Sequence, residues 1–360
     1  MSAPTHFLED ILRQPEELSR TIEYLTGPGR NALHQGSSVI QSGRDIFLTG
    51  IGASWHATVG ASSLLQDVGR PVHTQEASEL LHCTTIPRGS VIVVLSRTGR
   101  SIEIVQLLEK AKLSDASVIG LTNSEDSPLA RESRVAIAVP TKLDHAISVN
   151  AYSTLLIAAG ALASSTFDSF LPVAPTLLRA VREVRQSLEV WQRQVEQSGW
   201  FVEGEPYYFL ARGGSLGSCH EARLLWEEGA KIPATAMSTS GFRHGPQEIV
   251  REGLRFCMWI DQSRMRDQDL SVAYDLRELG ASVMLIGENL PPDAGDLVCQ
   301  LPNSPTNWQF AIDVFPIQLA AERMSRLLGV DCDSFRVCSY VVEDEHGLLH
   351  KKAEFSQDVE

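Results

Sequence analysis

The sequence predicts an α/β protein built by tandem duplication of a doubly wound parallel-sheet domain, and three observations carry that prediction. Short β-branched apolar runs alternate with stretches of helical spacing; the order strand, tight turn, helix restarts after Pro206; and matching segments recur at a near-constant interval. Phe47-Leu48 aligns with Phe209-Leu210 at an offset of 162, and the same offset lays Ala77-Ser78-Glu79-Leu80-Leu81-His82 on Thr239-Ser240-Gly241-Phe242-Arg243-His244. Ala116-Ser117-Val118 meets Ala281-Ser282-Val283 at 165. Independent segments rarely keep element order and spacing together over such distances, so the interval marks one duplicated unit and not a many-repeat solenoid.

Along the chain, residues 7–25 place Leu8, Ile11, Leu12, Leu18, Ile22 and Leu25 at helical spacing interrupted by Pro15, which predicts two short helices. Ile46-Phe47-Leu48-Thr49 reads as a strand that ends in Gly50-Ile51-Gly52-Ala53-Ser54 before a helix over 55–68. Val91-Ile92-Val93-Val94-Leu95 is an unbroken apolar run, as a parallel strand covered on both faces requires, and it opens into Ser96-Arg97-Thr98-Gly99-Arg100-Ser101 before a helix over 102–112. Residues 116–122 and 135–139 add two strands, and 151–163 and 173–198 read as long helices bridging the halves. Tyr207-Tyr208-Phe209-Leu210 then leads into Arg212-Gly213-Gly214-Ser215 and a helix through Trp226. The division expected is a helical segment over 1–30, a first sheet domain with the bridging helices over 31–192, a second over 193–345, and a tail over 346–360.

Composition narrows the function. Of 360 residues, 43% are hydrophobic and 21% charged, the balance of a globular protein with a sizeable core. A net charge of −14 argues against general binding to nucleic acid or to an anionic membrane, both of which need a basic face. Six scattered cysteines make neither a zinc spacing nor a disulfide framework, so reduced thiols and no metal are expected. The start lacks a basic segment followed by an apolar run, and no stretch approaches a membrane span, so a cytoplasmic protein is expected.

The loop at 96–101 carries the chemistry. A phosphate needs several donors converging on one point, and short hydroxyl residues in a turn ahead of a helix N-terminus supply them beside backbone N–H groups. Ser96, Thr98 and Ser101, with Gly99 permitting the turn, fit that need at the end of a buried strand, where α/β sheets take their ligands. The alternative is that Ser101 merely caps the helix that follows. Gly50-Ile51-Gly52 is a weaker signal, and because the dinucleotide pattern G-x-G-x-x-G is incomplete there, no nicotinamide cofactor is expected.

The chain resembles the isomerase half of glucosamine-6-phosphate synthase and its relatives, a family of paired, flavodoxin-like sugar isomerase (SIS) domains. Five segments carry the resemblance: residues 9–15, Gly52-Ala53-Ser54-Trp55, the loop at 96–101, Ser148-Val149-Asn150-Ala151-Tyr152-Ser153-Thr154, and Phe242-Arg243-His244-Gly245-Pro246. It implies that Ser54, Ser96, Thr98, Ser101 and Ser148 hold the sugar phosphate or sugar hydroxyls; Gly52, and Arg97 where the family has a different residue, are further candidates for binding the substrate. Glu228 would shuttle a proton between C1 and C2, and His244 would assist ring opening. It implies a homodimer in which His244 reaches the partner's site, and no cofactor. The chemistry agrees: aldose–ketose interconversion runs through an enediol or enolamine and needs one base for the carbon-bound proton and a second group at the ring oxygen. Trp226 with Leu224-Leu225 is expected to give Glu228 the apolar setting that raises its proton affinity. The residues alone leave other readings open, Glu227-Glu228 as a solvated helix face and His244 as a packed histidine before a Gly-Pro turn.

Two departures bear on the reaction. Where the synthase family has a lysine near the C-terminus able to form a Schiff base, this sequence has Tyr340 at or beside the position; a phenol makes no imine but can donate a hydrogen bond or act as an acid, so Tyr340 is a catalytic candidate with Glu228 and His244. The family's lysine three residues before the glutamate is Leu225, and an ammonia-supplying glutaminase domain is not expected. The reaction expected is isomerisation or deamination of a hexose-6-phosphate or amino-sugar phosphate, with a fructosamine-phosphate deglycase or a non-catalytic phosphosugar sensor acting on a partner protein as alternatives.

Overall fold

The computed structural model describes residues 4–342 together with 344 and 348, so the expected tail over 346–360 lies outside the described residues apart from Leu348. The chain opens with helices α1 (His6–Thr26) and α2 (Arg30–Ser42). The first α/β unit follows as β1 (Ile46–Gly50), α3 (Ala53–Asp67), β2 (His73–Glu76), α4 (Ala77–His82), β3 (Val91–Ser96), α5 (Ile102–Leu113), β4 (Ser117–Thr122), α6 (Pro128–Glu132) and β5 (Val135–Ala138). Two long helices, α7 (Asn150–Ser165) and α8 (Phe170–Gln197), lead to the second unit. That unit runs β6 (Tyr207–Ala211), α9 (Ser215–Leu225), β7 (Ala234–Ser238), α10 (Thr239–Phe242), β8 (Arg255–Ile260), α11 (Arg266–Glu278), β9 (Ser282–Glu288) and β10 (Leu297–Leu301), and α12 (Phe315–Leu327) closes the fold.

Both sheets are five-stranded and parallel. The first has the order β2-β1-β3-β4-β5 and the second β7-β6-β8-β9-β10, so the duplication holds strand for strand. In each order the first strand of the unit lies beside its third, which places a topological switch point, and hence a crevice, at the carboxyl ends of β1 and β3 and again of β6 and β8. The offsets fall on element starts: α4 and α10 begin at Ala77 and Thr239, β4 and β9 at Ser117 and Ser282.

The central strands are buried at every position in β1, β3 and β8, as their unbroken apolar runs demand. One apolar cluster runs through both halves, with Leu64, Leu156, Trp191, Trp226 and Phe310 among its members. Helix α3 packs on both α7 and α9, so the two units share a helical layer, and the start of α3 lines the first crevice while its end lines the second. Residues 6–26 form one helix and not the two expected from Pro15. Pro15 is itself buried in a face that continues through Ile11, Leu18, Ile22 and Leu25 against α7 and α8, and that packing outweighs the missing hydrogen bond. Among the described residues no helix is long and apolar enough to cross a membrane.

Candidate active site

At the switch point of the first sheet lies a cavity of about 200 Å³, walled by the loops after β1 and β3, the segment before α7, the end of α9, and chain from 335 to 342. Nine of the residues singled out from the sequence line it: Gly52, Ser54, Ser96, Arg97, Thr98, Ser101, Ser148, Glu228 and Tyr340. His244 does not. It is exposed just past α10.

The loop after β3 is shaped by Ser96, whose Oγ accepts a hydrogen bond from the Gly99 N–H at 3.0 Å. Gly99 sits at φ +60°, and a Cβ there would lie 2.5 Å from Ser127 Oγ, so both conformation and space call for glycine. Ser101 stands at the N-cap of α5, yet its side chain makes no capping bond, so capping is not what occupies this hydroxyl. The loop thus offers hydroxyls and the positive end of a twelve-residue helix to one cavity.

Arg97 reaches across the cavity mouth. Its guanidinium donates to Ser148 Oγ at 2.7 Å and to the Tyr340 carbonyl at 2.8 Å, and lies 3.8 Å from the centre of the Tyr340 ring. The N–H of Ile102, first residue of α5, donates to the Val342 carbonyl at 3.1 Å. The C-terminal segment is therefore strapped over the loop, and Tyr340 enters the site through Arg97. Arg100 turns away from the cavity, donating to the Asp126 carbonyl at 3.1 Å.

Glu228 lies on a single π-helical turn, Trp226–Ala230, that extends α9, an irregularity that recurs at functional sites. Burial first, and the nearby Glu221 second, push its carboxyl up from the ordinary 4.5 to about 7, against the opposing pull of Arg97 and Lys231. Its apolar surroundings differ from those expected. Leu224 lines the cavity with Leu95 and Phe335, whereas Leu225 and Trp226 point into the main core, where Trp226 packs edge-on to Phe209. Glu227 is the solvent-side partner of Arg223, at 2.8 Å. Farther back on α9, Glu221 meets His56 Nδ1 at 2.8 Å in full burial. Burial lowers His56 to about 3 and raises Glu221 well above its usual range, so a hydrogen bond holds this pair and not two full charges.

The sequence reading overlooked Lys231. It follows Glu228 by three residues in the left-handed conformation (φ +58°), and its Nζ donates to the Glu228 carbonyl and, at 2.9 Å, to the Ser334 carbonyl. It ties the π-turn to the strap. Its signal in the sequence is a lysine three residues after the glutamate, between the two positions where the family carries its lysines. Among the described residues no group of three or more His, Cys, Asp or Glu is placed to hold a metal ion.

The architecture recurs among known proteins. Residues 39–165 match the SIS domain family. A glutamine–fructose-6-phosphate aminotransferase (isomerizing) from Pyrococcus horikoshii is 24% identical over 349 residues, covering 91% of this chain and 56% of the relative. Its counterpart from Thermus thermophilus is 24% identical over 352 residues, covering 92% of this chain and 58% of the relative. The chain thus spans about half the length of these relatives. In three dimensions it is similar to the C-terminal domain of glucosamine-fructose-6-phosphate aminotransferase from Francisella tularensis, with a TM-score of 0.81 at 21% identity over 92% of this chain and 98% of that one. It is also similar to a tagatose-6-phosphate ketose/aldose isomerase from Escherichia coli, with a TM-score of 0.78 at 21% identity over 91% and 94%. These likenesses show the fold, a pair of SIS-type units.

Proposed function

We propose that this SIS-domain chain is an enzyme that moves a proton between C1 and C2 of a hexose-6-phosphate or amino-sugar phosphate, with Glu228 as the base. The observation that carries the reading is a carboxyl raised to about 7 in the same cavity as the hydroxyls of Ser96, Thr98 and Ser101. A base of that strength takes and returns a carbon-bound proton near neutral pH without being fully protonated or wholly unreactive. The loop and the N-terminus of α5 hold the phosphate and so fix C1 and C2 against Glu228.

With a 2-amino sugar in the open-chain form, Glu228 removes the proton from C2 and returns it at C1. The resulting C2 imine is hydrolysed by water with loss of ammonia. With a 2-hydroxy sugar the same transfer interconverts aldose and ketose. Tyr340 offers a hydroxyl and no amine, which favours these reactions over a route through an imine to the protein. A fructosamine-phosphate substrate, in which the nitrogen is carried on C1, fits the same proton transfer.

His244 belongs to the proposal as a residue delivered by a second copy of the chain to the ring oxygen, since it is exposed and does not line the cavity of its own chain. Complementation checks this. Glu228→Gln and His244→Ala, each inactive alone, regain about a quarter of wild-type activity when reassembled in equal amounts if a two-fold dimer shares its sites. No recovery after verified subunit exchange removes His244 from the shared site.

The function is tested by thermal shift and turnover with fructose-6-phosphate, glucosamine-6-phosphate, tagatose-6-phosphate and fructosyl-amino-acid phosphates. The reading expects at least one to bind and be converted. Binding without turnover across the panel makes the chain a sensor, and no binding at all rejects the ligand class.

A further inference from the structure

A second cavity, of about 420 Å³, opens at the C-terminal ends of β6, β8 and β9, the place in the second sheet that the candidate active site occupies in the first. Its chemistry is different. The loop after β3 contains no acidic residue, whereas the loop after β8 begins Asp261-Gln262-Ser263-Arg264. Asp261 Oδ1 accepts from the Ser263 N–H at 2.7 Å, from Ser263 Oγ at 2.7 Å and from the Arg264 N–H at 3.2 Å. The chain's own carboxylate thereby takes the loop donors that an external anion would use. The loop's guanidinium is engaged as well: Arg264 pairs with Asp67 at 2.7 Å and donates to Asn307 Oδ1 at 3.0 Å.

What remains facing the space is acidic, hydroxylic and amidic. Glu288, 8% exposed at the end of β9, lines the cavity and accepts from both the N–H and the Oγ of Ser304. Buried Ser215 and Gln309 line its floor, Gln309 Nε2 donating to Ser215 Oγ at 3.5 Å, and Ser218 Oγ donates to Asp313 Oδ1 at 2.5 Å. Asp313 is fully buried and keeps one carboxyl oxygen, Oδ2, without a partner. Phe310 adds an aromatic wall. Carboxylates and amides beside a ring suit hydroxyls and an ammonium group, and the carboxylates repel a phosphate.

We propose that this second cavity binds an unphosphorylated amino sugar, and that the duplication has produced one site for the phosphorylated and one for the unphosphorylated form of such a ligand. Binding at the second cavity does not depend on the reaction assigned to the first site, whereas the pairing of phosphorylated with unphosphorylated ligand rests on that reading.

The test is isothermal titration of the intact chain with glucosamine, glucose and glucosamine-6-phosphate. Glucosamine should bind saturably and at least about fivefold more tightly than glucose. Thr306→Trp, at the exposed mouth, should weaken glucosamine at least about tenfold while leaving turnover at the first site unchanged. Glu288→Gln should bring the two sugars within about twofold of each other. Ser96→Ala with Thr98→Val should leave glucosamine binding as it was. If Thr306→Trp lowers the melting temperature, Asn303→Arg, also at the mouth, takes its place with the same expectation. The proposal is overturned if neither sugar binds saturably, or if glucosamine binding is lost with the Ser96/Thr98 variant and kept with the mouth variants. Failure of the first-site reading shows separately, as absence of phosphosugar binding or turnover.

Discussion

The two halves of the molecule have the same strand order and diverge where the strands end. After β3 the chain supplies Ser96, Thr98 and Ser101, with the Gly99 turn closed by Ser96 and the Ser101 hydroxyl not spent on its own helix. After β8 it supplies Asp261, which takes the N–H groups of Ser263 and Arg264 for itself. Each crevice also has a carboxyl raised to about 7 by burial, both of them carried by the second half of the chain. Glu228 opens onto the first cavity, and Asp313 is sealed behind the floor of the second. A duplicated frame thus keeps its crevices, and a few side chains decide whether a crevice recruits an anion or supplies its own.

The most severe way to break this comparison is to remove the two carboxyl groups separately. Glu228→Gln should lower turnover by at least about a thousandfold while phosphosugar affinity stays within about threefold, measured by steady-state kinetics and titration. Asp313→Asn should leave the chemistry in place and cost on the order of 1–3 kcal/mol of stability in chemical denaturation, because Ser218 Oγ, now 2.5 Å from Asp313 Oδ1, exchanges its carboxyl partner for an amide. Equal turnover for Glu228→Gln and wild type would remove Glu228 from the mechanism.

The loops come next in size. Ser96→Ala with Thr98→Val should weaken phosphosugar binding by about tenfold or more, and Ser263→Ala in the second loop should not change it, as read by calorimetry. Similar losses from both would erase the distinction between the crevices.

The smallest effect is a pH dependence. The folded protein retains the Glu228 proton up to about pH 7, whereas the unfolded chain releases it near 4.5. The stability linked to this proton is therefore full below about 4.5 and is lost as pH rises through 7. Glu228→Gln should flatten the stability profile across that window and gain on the order of 1–3 kcal/mol relative to wild type at pH 8. Asp313, shifted the same way, keeps its own slope in both proteins.

The legible parts of the fold are those whose burial is complete. β3 and β4 announce themselves because a parallel strand covered on both faces needs an unbroken apolar run. The edge strands β2 and β7 do not, since His73-Thr74-Gln75-Glu76 is polar and partly exposed and Ala234–Ser238 is nowhere fully buried. In the site, the loop at 96–101 was readable from local chemistry, while its meeting with Glu228, over a hundred residues away, came only through resemblance to a family. The strap contact through Arg97 and Lys231 was not readable, because the path of residues 334–342 over the cavity is set by tertiary contacts with no local pattern. Arg97 was expected to meet the sugar phosphate, and it lines the cavity, but its hydrogen bonds go to Ser148 and the Tyr340 carbonyl.

The central claim is that a phosphosugar held by the first loop gives up a carbon-bound proton to Glu228. Deuterium incorporation at C1 and C2, followed by proton NMR in heavy water across the same phosphosugar panel, tests it most directly. The account predicts incorporation with the wild-type chain for any sugar it binds productively, and none with Glu228→Gln under the same saturation. Saturating binding of a panel sugar by the wild type with no exchange at either carbon would contradict it.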